Sequence, residues 1–183
     1  MSKAFDSISP ELQRWILKQR MFFVATAPLA ATGHVNCSPK GGDSLRVMGP
    51  NAVAYQDLTG SGIETIAHLR ENGRIVIMFC AFEGAPKIVR LYGRGEVIET
   101  GDSRFPLAPT AFPAHAGTRA IIHVEVERVG DSCGYAVPLY DFVADRTILD
   151  EWVERKGPEG VAQYQRRNNA VSIDGLPGLR EAR

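Results

Sequence analysis

The sequence predicts a mainly β protein, an antiparallel sheet or barrel of six or seven strands with few helices and a helical C-terminal extension. Three observations predict it. Short runs rich in β-branched and aromatic residues recur between residues 21 and 56, joined by glycine and proline turns too short for parallel crossovers. Two later segments, 87–99 and 119–129, alternate apolar and polar residues as half-exposed strands do. Helical periodicity is confined to the start of the chain, one central stretch and the region beyond Pro138.

The elements follow in order. Ser9-Pro10-Glu11 opens a helix with a hydroxyl cap, a proline at the first helical position and an acid near the positive end of the dipole. Leu12, Trp15 and Ile16 form its apolar stripe. MFFVATA (21–27), HVNCS (34–38), LRVM (45–48) and NAVAYQ (51–56) read as strands, with Gly33, Gly41-Gly42 and Gly49-Pro50-Asn51 as turns. Ser61 to Asn72 reads as a helix that places Ile63, Ile66 and Ala67 on one face and stops at Gly73. RIVIMFCAF (74–82) is nearly continuous in apolar residues, as in a strand covered on both faces. KIVRLYGRGEVIE (87–99) carries Gly93 and Gly95 as candidate bulges or bends. Residues 101–118 read as a loop rich in Pro, Ala and Gly, and RAIIHVEVERV (119–129) as the last strand. Asp145–Lys156 and Pro158–Asn168 read as two helices, followed by a tail without periodicity. Residues 1–138 are expected to form the barrel, and 139–183 a helical extension packed on the same domain.

Among the 183 residues, Lys plus Arg equals Asp plus Glu at 21 each, a balance that argues against a general nucleic-acid binder. The apolar run MFFVATAPLAA contains a proline and is too short to span a bilayer, and no basic leader precedes it. The expectation is a cytoplasmic chain with no membrane partner. Cys37, Cys80 and Cys133 are odd in number and lack CxxC spacing, which predicts buried reduced thiols and neither a disulfide framework nor a metal site. By strand alternation Cys37 is expected in the barrel interior, with Met48 and Phe79 in the core.

The chemically suggestive stretch is YQDLTGSGIET (55–65). Thr59, Gly60, Ser61 and Gly62 put hydroxyls and accessible peptide N–H groups at the mouth of a helix, where an anion is favoured. The same residues admit a second reading: Ser61-Gly62-Ile63-Glu64 matches an S-x-x-E capping box, in which these groups satisfy only the helix. In HVNCSPKGG (34–42), Asn36, Ser38 and Lys40 share one side of an extended segment, either as a ligand edge or as a plain solvent face. Lys87 and Arg90 have opposite parity on their strand, so a regular strand aims only one of them at a given site. Of the four histidines, His68 and His123 read as structural, and His115 in the proline-rich loop could border a pocket.

Together HVNCSPKGG, NAVAYQDLTGSG, the following helix, RIVIMFC and KIVRLYGRGEV resemble the pyridoxamine 5′-phosphate oxidase-like family of split β-barrel flavoproteins, in element order over residues 10–130. The resemblance implies a six-stranded antiparallel split barrel that forms a homodimer and holds FMN between subunits. It sets Val35–Lys40, including Asn36 and Ser38, beside the isoalloxazine and ribityl chain, with Lys40 toward the phosphate. Tyr55 to Asp57 would end the strand beneath the flavin, Thr59, Gly60, Ser61 and Gly62 would face the phosphate, and Lys87 and Arg90 would line the same cleft. The implied activity is flavin-dependent hydride transfer with a small-molecule substrate; the alternative is a non-catalytic binder of flavin, haem or a deazaflavin. Two departures stand out. Many relatives carry Arg or Lys after the turn serine where this chain has Gly62 and Ile63, and no C-terminal Arg-His-Arg cluster is present, which argues against pyridoxamine phosphate as substrate.

Overall fold

The computed structural model describes residues 3–100, 102–104 and 112–180. The elements are β1 (Lys3–Phe5), α1 (Pro10–Ile16), β2 (Met21–Thr26), β3 (Asn36–Gly41), β4 (Leu45–Gly49), β5 (Ala52–Leu58), α2 (Glu64–Asn72), β6 (Arg74–Cys80), β7 (Ile88–Glu99), β8 (Thr118–Ser132) and α3 (Ile148–Asn168). The eight strands form one antiparallel sheet in the order β3-β2-β6-β7-β8-β5-β4, and β1 pairs with β8 beside β5. Among the described residues the expected six or seven strands become eight because Lys3–Phe5, too short to carry a periodic signal, adds to the end of the 15-residue β8. Most of the expected loop at 101–118 lies outside the described residues.

The sheet curls on itself. Phe22 on β2 and Tyr55 on β5 are four places apart in strand order, yet their rings meet edge-on at 5.7 Å, with Phe79 of β6 5.9 Å from Phe22. Inward-facing Val24, Val53, Ile77, Val89, Leu91, Ile122 and Val124 fill the space between. Phe22, Tyr55 and Phe79, all buried, each remove large apolar area from water, which is what holds a barrel of this size together.

Gly93 permits the curl at one point. The register of β7 against β8 shifts between Tyr92 and Gly93, and a Cβ on Gly93 would collide with the Glu125 carbonyl. The extra residue is Glu127 of β8, so the bulge is in the facing strand, with Gly93 the residue of β7 that lets the two backbones close on each other, and Gly95 keeps regular pairing. Gly95 lets α2 lie close on the sheet, since a Cβ there would stand 2.7 Å from Leu69 Cδ2. α2 stops at Gly73, in the left-handed region at φ 69°, as expected. At α1 the Leu12 N–H donates to Ser9 Oγ at 3.1 Å, completing the anticipated cap.

Three expectations are corrected. Cys37 and Cys133 are exposed and only Cys80 is buried. Cys37 alternates away from Asn36 and Ser38 as expected, but β3 is an edge strand whose outer face is open. Met48 is likewise exposed on the other edge strand, β4, whereas Phe79 is in the core. The capping box does not form: α2 begins at Glu64 with Ile63 at the cap and no side-chain cap bond, and Glu64 Oε1 accepts from the Ile173 N–H at 3.3 Å.

Past β8 an extended arm, residues 133–147, leads into α3. The arm is tied to the barrel by the Tyr140 N–H donating to the Phe82 carbonyl at 2.9 Å, by Tyr140 stacked on Phe82, and by Arg20 over the Phe142 ring. The two helices expected at 145–168 appear as one element broken at Gly157 (φ 66°, ψ 169°), followed by Pro158. Trp152 packs edge-on against Tyr164 across that break. Among the described residues no helix is long and apolar enough to cross a membrane.

Candidate functional site

The site grows from the end of β5, where an apolar strand closes on a carboxylate. Asp57 is fully buried, and Lys40 Nζ of β3 donates to its Oδ1 at 2.8 Å while Arg119 Nε of β8 donates to its Oδ2 at 2.7 Å. Arg119 points inward for a local reason. Asp57 is opposite Ala120 and Leu58 is opposite Thr118, so Arg119 is the extra residue of a bulge and is released from regular alternation. Burial alone pushes the Asp57 carboxyl up, but Lys40 and Arg119 together outweigh it and hold the group below its ordinary value. Beside it, burial, followed by the Asp57 charge, pushes the Tyr55 phenol well up, and its Oη has no partner among the described residues.

The turn after β5 is organised around the same arginine. Arg119 Nη1 donates to the Gly62 carbonyl at 2.9 Å, to the Gly60 carbonyl at 3.4 Å and to Asn169 Oδ1 at 3.0 Å. Thr59 is buried, and both its N–H and its hydroxyl donate to the Gly117 carbonyl at 2.8 Å. The amides of Gly60, Ser61 and Gly62 have no acceptor among the described residues. Ser61 is exposed. Gly62 has a carboxylate as neighbour: a Cβ there would lie 2.5 Å from Glu64 Oε2.

On the inner side of β3, Ser38 Oγ donates to Asn36 Oδ1 at 3.0 Å. Asn36 Nδ2 donates to Thr65 Oγ1 at 2.9 Å and to Thr26 Oγ1 at 3.4 Å. Thr26 Oγ1 in turn bonds His68 Nδ1 at 2.9 Å. His68 is fully buried, as a structural histidine would be, and burial holds its ring below the ordinary value and so neutral. Both amide hydrogens of Asn36 are thus spent, which leaves Oδ1 as its remaining functional atom.

A cleft of about 1210 Å³ opens beside this cluster. Lys40, Gln56, Thr59 and Gly60 line it from the barrel, Trp15 from α1, and Tyr140 and Phe142 from the arm. His115 borders it, as its loop position suggested. Its Nδ1 accepts from the Gly117 N–H at 2.9 Å, so Nε2 carries the proton toward Asp150 Oδ1 at 2.8 Å.

Of the sequence-derived candidates, the structure brings together Lys40, Tyr55, Asp57, Thr59, Gly60 and Gly62, with Ser61 on the outside of the same turn. Asn36 and Ser38 are on the same strand as Lys40, in the separate polar row. Lys87 and Arg90 do not join them: Lys87 pairs with Asp131 at 3.2 Å and stands over the Trp15 ring, and Arg90 Nη1 donates to Ser132 Oγ at 3.2 Å. Sequence reasoning missed Arg119 and Asn169. The available signal was Asp57 itself, because a carboxylate ending an apolar strand needs a cation from elsewhere in the fold.

The sequence matches the profile of the pyridoxamine 5′-phosphate oxidase family over residues 8–133. It is 41% identical over 195 residues to the pyridoxamine 5′-phosphate oxidase family protein ustO of Aspergillus flavus, a match covering 97% of this chain and 78% of the relative. Among solved structures, a variant of HupZ from Group A Streptococcus aligns with a TM-score of 0.54 at 25% identity, over 68% of this chain and 99% of HupZ. A second HupZ structure aligns at 0.52 and 26% identity, over 67% and 91% respectively. The chain belongs to the pyridoxamine 5′-phosphate oxidase family.

Proposed function

We propose that this chain is a cytoplasmic, homodimeric FMN-dependent oxidoreductase acting on a small molecule other than pyridoxamine phosphate. The observation that carries the reading is a cleft lined by both Lys40, whose ammonium is fixed by Asp57, and Gly60, the start of a turn whose Gly60 and Ser61 amides have no acceptor among the described residues. An ammonium with two further N–H groups and a row of peptide donors is the donor set a phosphate monoester requires. The fit is to the Gly60–Ser61 side of the turn, because Glu64 occupies the Gly62 side and would repel an anion there.

In this reading Lys40 and the turn amides hold the phosphate. Asn36 Oδ1, its orientation locked by Thr26 and Thr65, accepts from a ring N–H, and Ser38 keeps that oxygen in place. Trp15, Tyr140 and Phe142 exclude water from the cleft and give a planar ring apolar faces. Asp57 and Arg119 act from beneath by fixing Lys40 and the turn. Bound flavin supplies the hydride chemistry, so no protein side chain need be a strong acid or base. The reading does not draw on Lys87 or Arg90, whose partners are Asp131 and Ser132. The tail after α3 carries no Arg-His-Arg cluster, which is the reason for setting pyridoxamine phosphate aside.

The test is the absorbance spectrum and mass of the small molecule released when purified protein is denatured, together with the protein's solution mass. FMN released from a dimer is the expected result. A colourless protein that neither releases nor takes up FMN would overturn the reading.

A further inference from the structure

The turn at 59–62 is held from behind by residues about a hundred positions later in the chain. Asn169 is fully buried at the end of α3; its Nδ2 donates to the Gly60 carbonyl at 2.9 Å, and its Oδ1 accepts from Arg119 Nη1 at 3.0 Å. One helical turn earlier, Gln165 Nε2 donates to Thr59 Oγ1 at 2.7 Å. The tail after α3 continues the contact. Gly178 packs so closely that a Cβ there would collide with the Asn169 carbonyl and stand 2.8 Å from Ile63 Cγ1.

These bonds fix which way the turn's donors point. In a trans peptide the N–H is directed opposite to the C=O of the preceding residue. The carbonyls of Gly60 and Gly62 are drawn inward to Arg119 and Asn169, so the amide of the exposed Ser61, which follows Gly60, faces away from them toward the outside of the turn, while Ile63 is buried. Glycine at 60 and 62 would otherwise leave these peptide planes free to rotate. We propose that Gln165 and Asn169 are positioning residues: the C-terminal segment is a buttress that aims the turn's amides at an anion, with Arg119 as the link. The binding arm of this proposal rests on the turn being the seat of a flavin phosphate; its structural arm does not.

The test uses the full-length chain with Asn169→Ala and Gln165→Leu. Gln165→Leu removes the Thr59 bond while leaving the buried Arg119 cluster intact, and carries the test if Asn169→Ala fails to fold. Two quantities are read: backbone ¹⁵N order parameters at Gly60, Ser61 and Gly62, and dissociation constants for FMN and for riboflavin. The expected result is a fall of the order parameters from about 0.85 toward 0.6 or below. FMN should weaken about tenfold, the loss of one well-made hydrogen bond to a charged group, with riboflavin unchanged. Unchanged order parameters with an unchanged ratio of FMN to riboflavin affinity would overturn the proposal while leaving the flavoprotein reading intact. A wild-type protein that binds neither flavin would remove that reading, and the order parameters alone would then decide the buttress.

Discussion

Replacing Asp57 by asparagine tests the centre of the site directly. The carboxylate is completely buried and faces two cations whose side chains are 20% (Lys40) and 5% (Arg119) exposed. An amide can still accept from one of them, but its NH₂ group then confronts the other. Lys40 has a route to solvent; Arg119, enclosed by the Gly60 and Gly62 carbonyls and Asn169, does not. Removing one partner of a buried pair costs about 3–5 kcal/mol, and the escape of Lys40 puts Asp57→Asn near the lower end. At about 2–4 °C per kcal/mol for a chain of this size, the melting temperature should fall by about 6–12 °C at pH 7. The pH dependence follows from the depressed Asp57 pKa, which lies below the ordinary 3.8. Its stabilisation is present in full above the unfolded-state value and is lost as pH falls through the lower folded value. The gap between wild type and Asp57→Asn should therefore be constant at neutral pH and close in acid. Calorimetric scans at pH 7 and on descending steps below pH 4 measure both. A variant within about 1 kcal/mol of wild type at pH 7 would refute the claim that Asp57 organises the cluster.

Lys40→Met should weaken FMN at least tenfold, roughly the value of a charge-assisted hydrogen bond, while leaving riboflavin affinity unchanged in parallel fluorescence titrations. Because Asp57 keeps Arg119, its stability loss should be smaller than that of Asp57→Asn, about 1–2 kcal/mol by urea unfolding. Gly93→Ala forces a methyl group into the Glu125 carbonyl, which backbone cannot yield, and should cost about 3 kcal/mol or abolish soluble expression. Phe79→Ala opens a cavity beside Phe22 and should lower stability by about 3–5 kcal/mol, read from the denaturation midpoint.

The strands from β2 to β8 were legible because each carries its own periodicity or turn residues; even the close approach at Gly93 and the helix stop at Gly73 are marked by glycines. Lys3–Phe5 did not, since three residues hold too little pattern. The site was half legible. Lys40, Asp57 and the Thr59–Gly62 turn are marked by polar residues where an apolar strand ends. Arg119 was hidden because its inward turn depends on a bulge against β5, a register fact absent from local sequence. Asn169 was hidden because its importance comes from a contact 109 residues away. Cys37 and Met48 misled for a related reason: alternation tells which residues share a face, but edge position decides whether that face is covered.

That long-range contact also sets an order of events during synthesis. The barrel strands that present Lys40, Asp57 and Arg119 can pair once β8 has left the ribosome, but Gly60 must wait for Asn169 to emerge before its carbonyl is captured. Nascent chains halted after β8 should therefore be largely folded yet have a loose mouth at residues 59–62. Competence for a phosphorylated ligand would then be acquired in a late step, separable in time from collapse of the core.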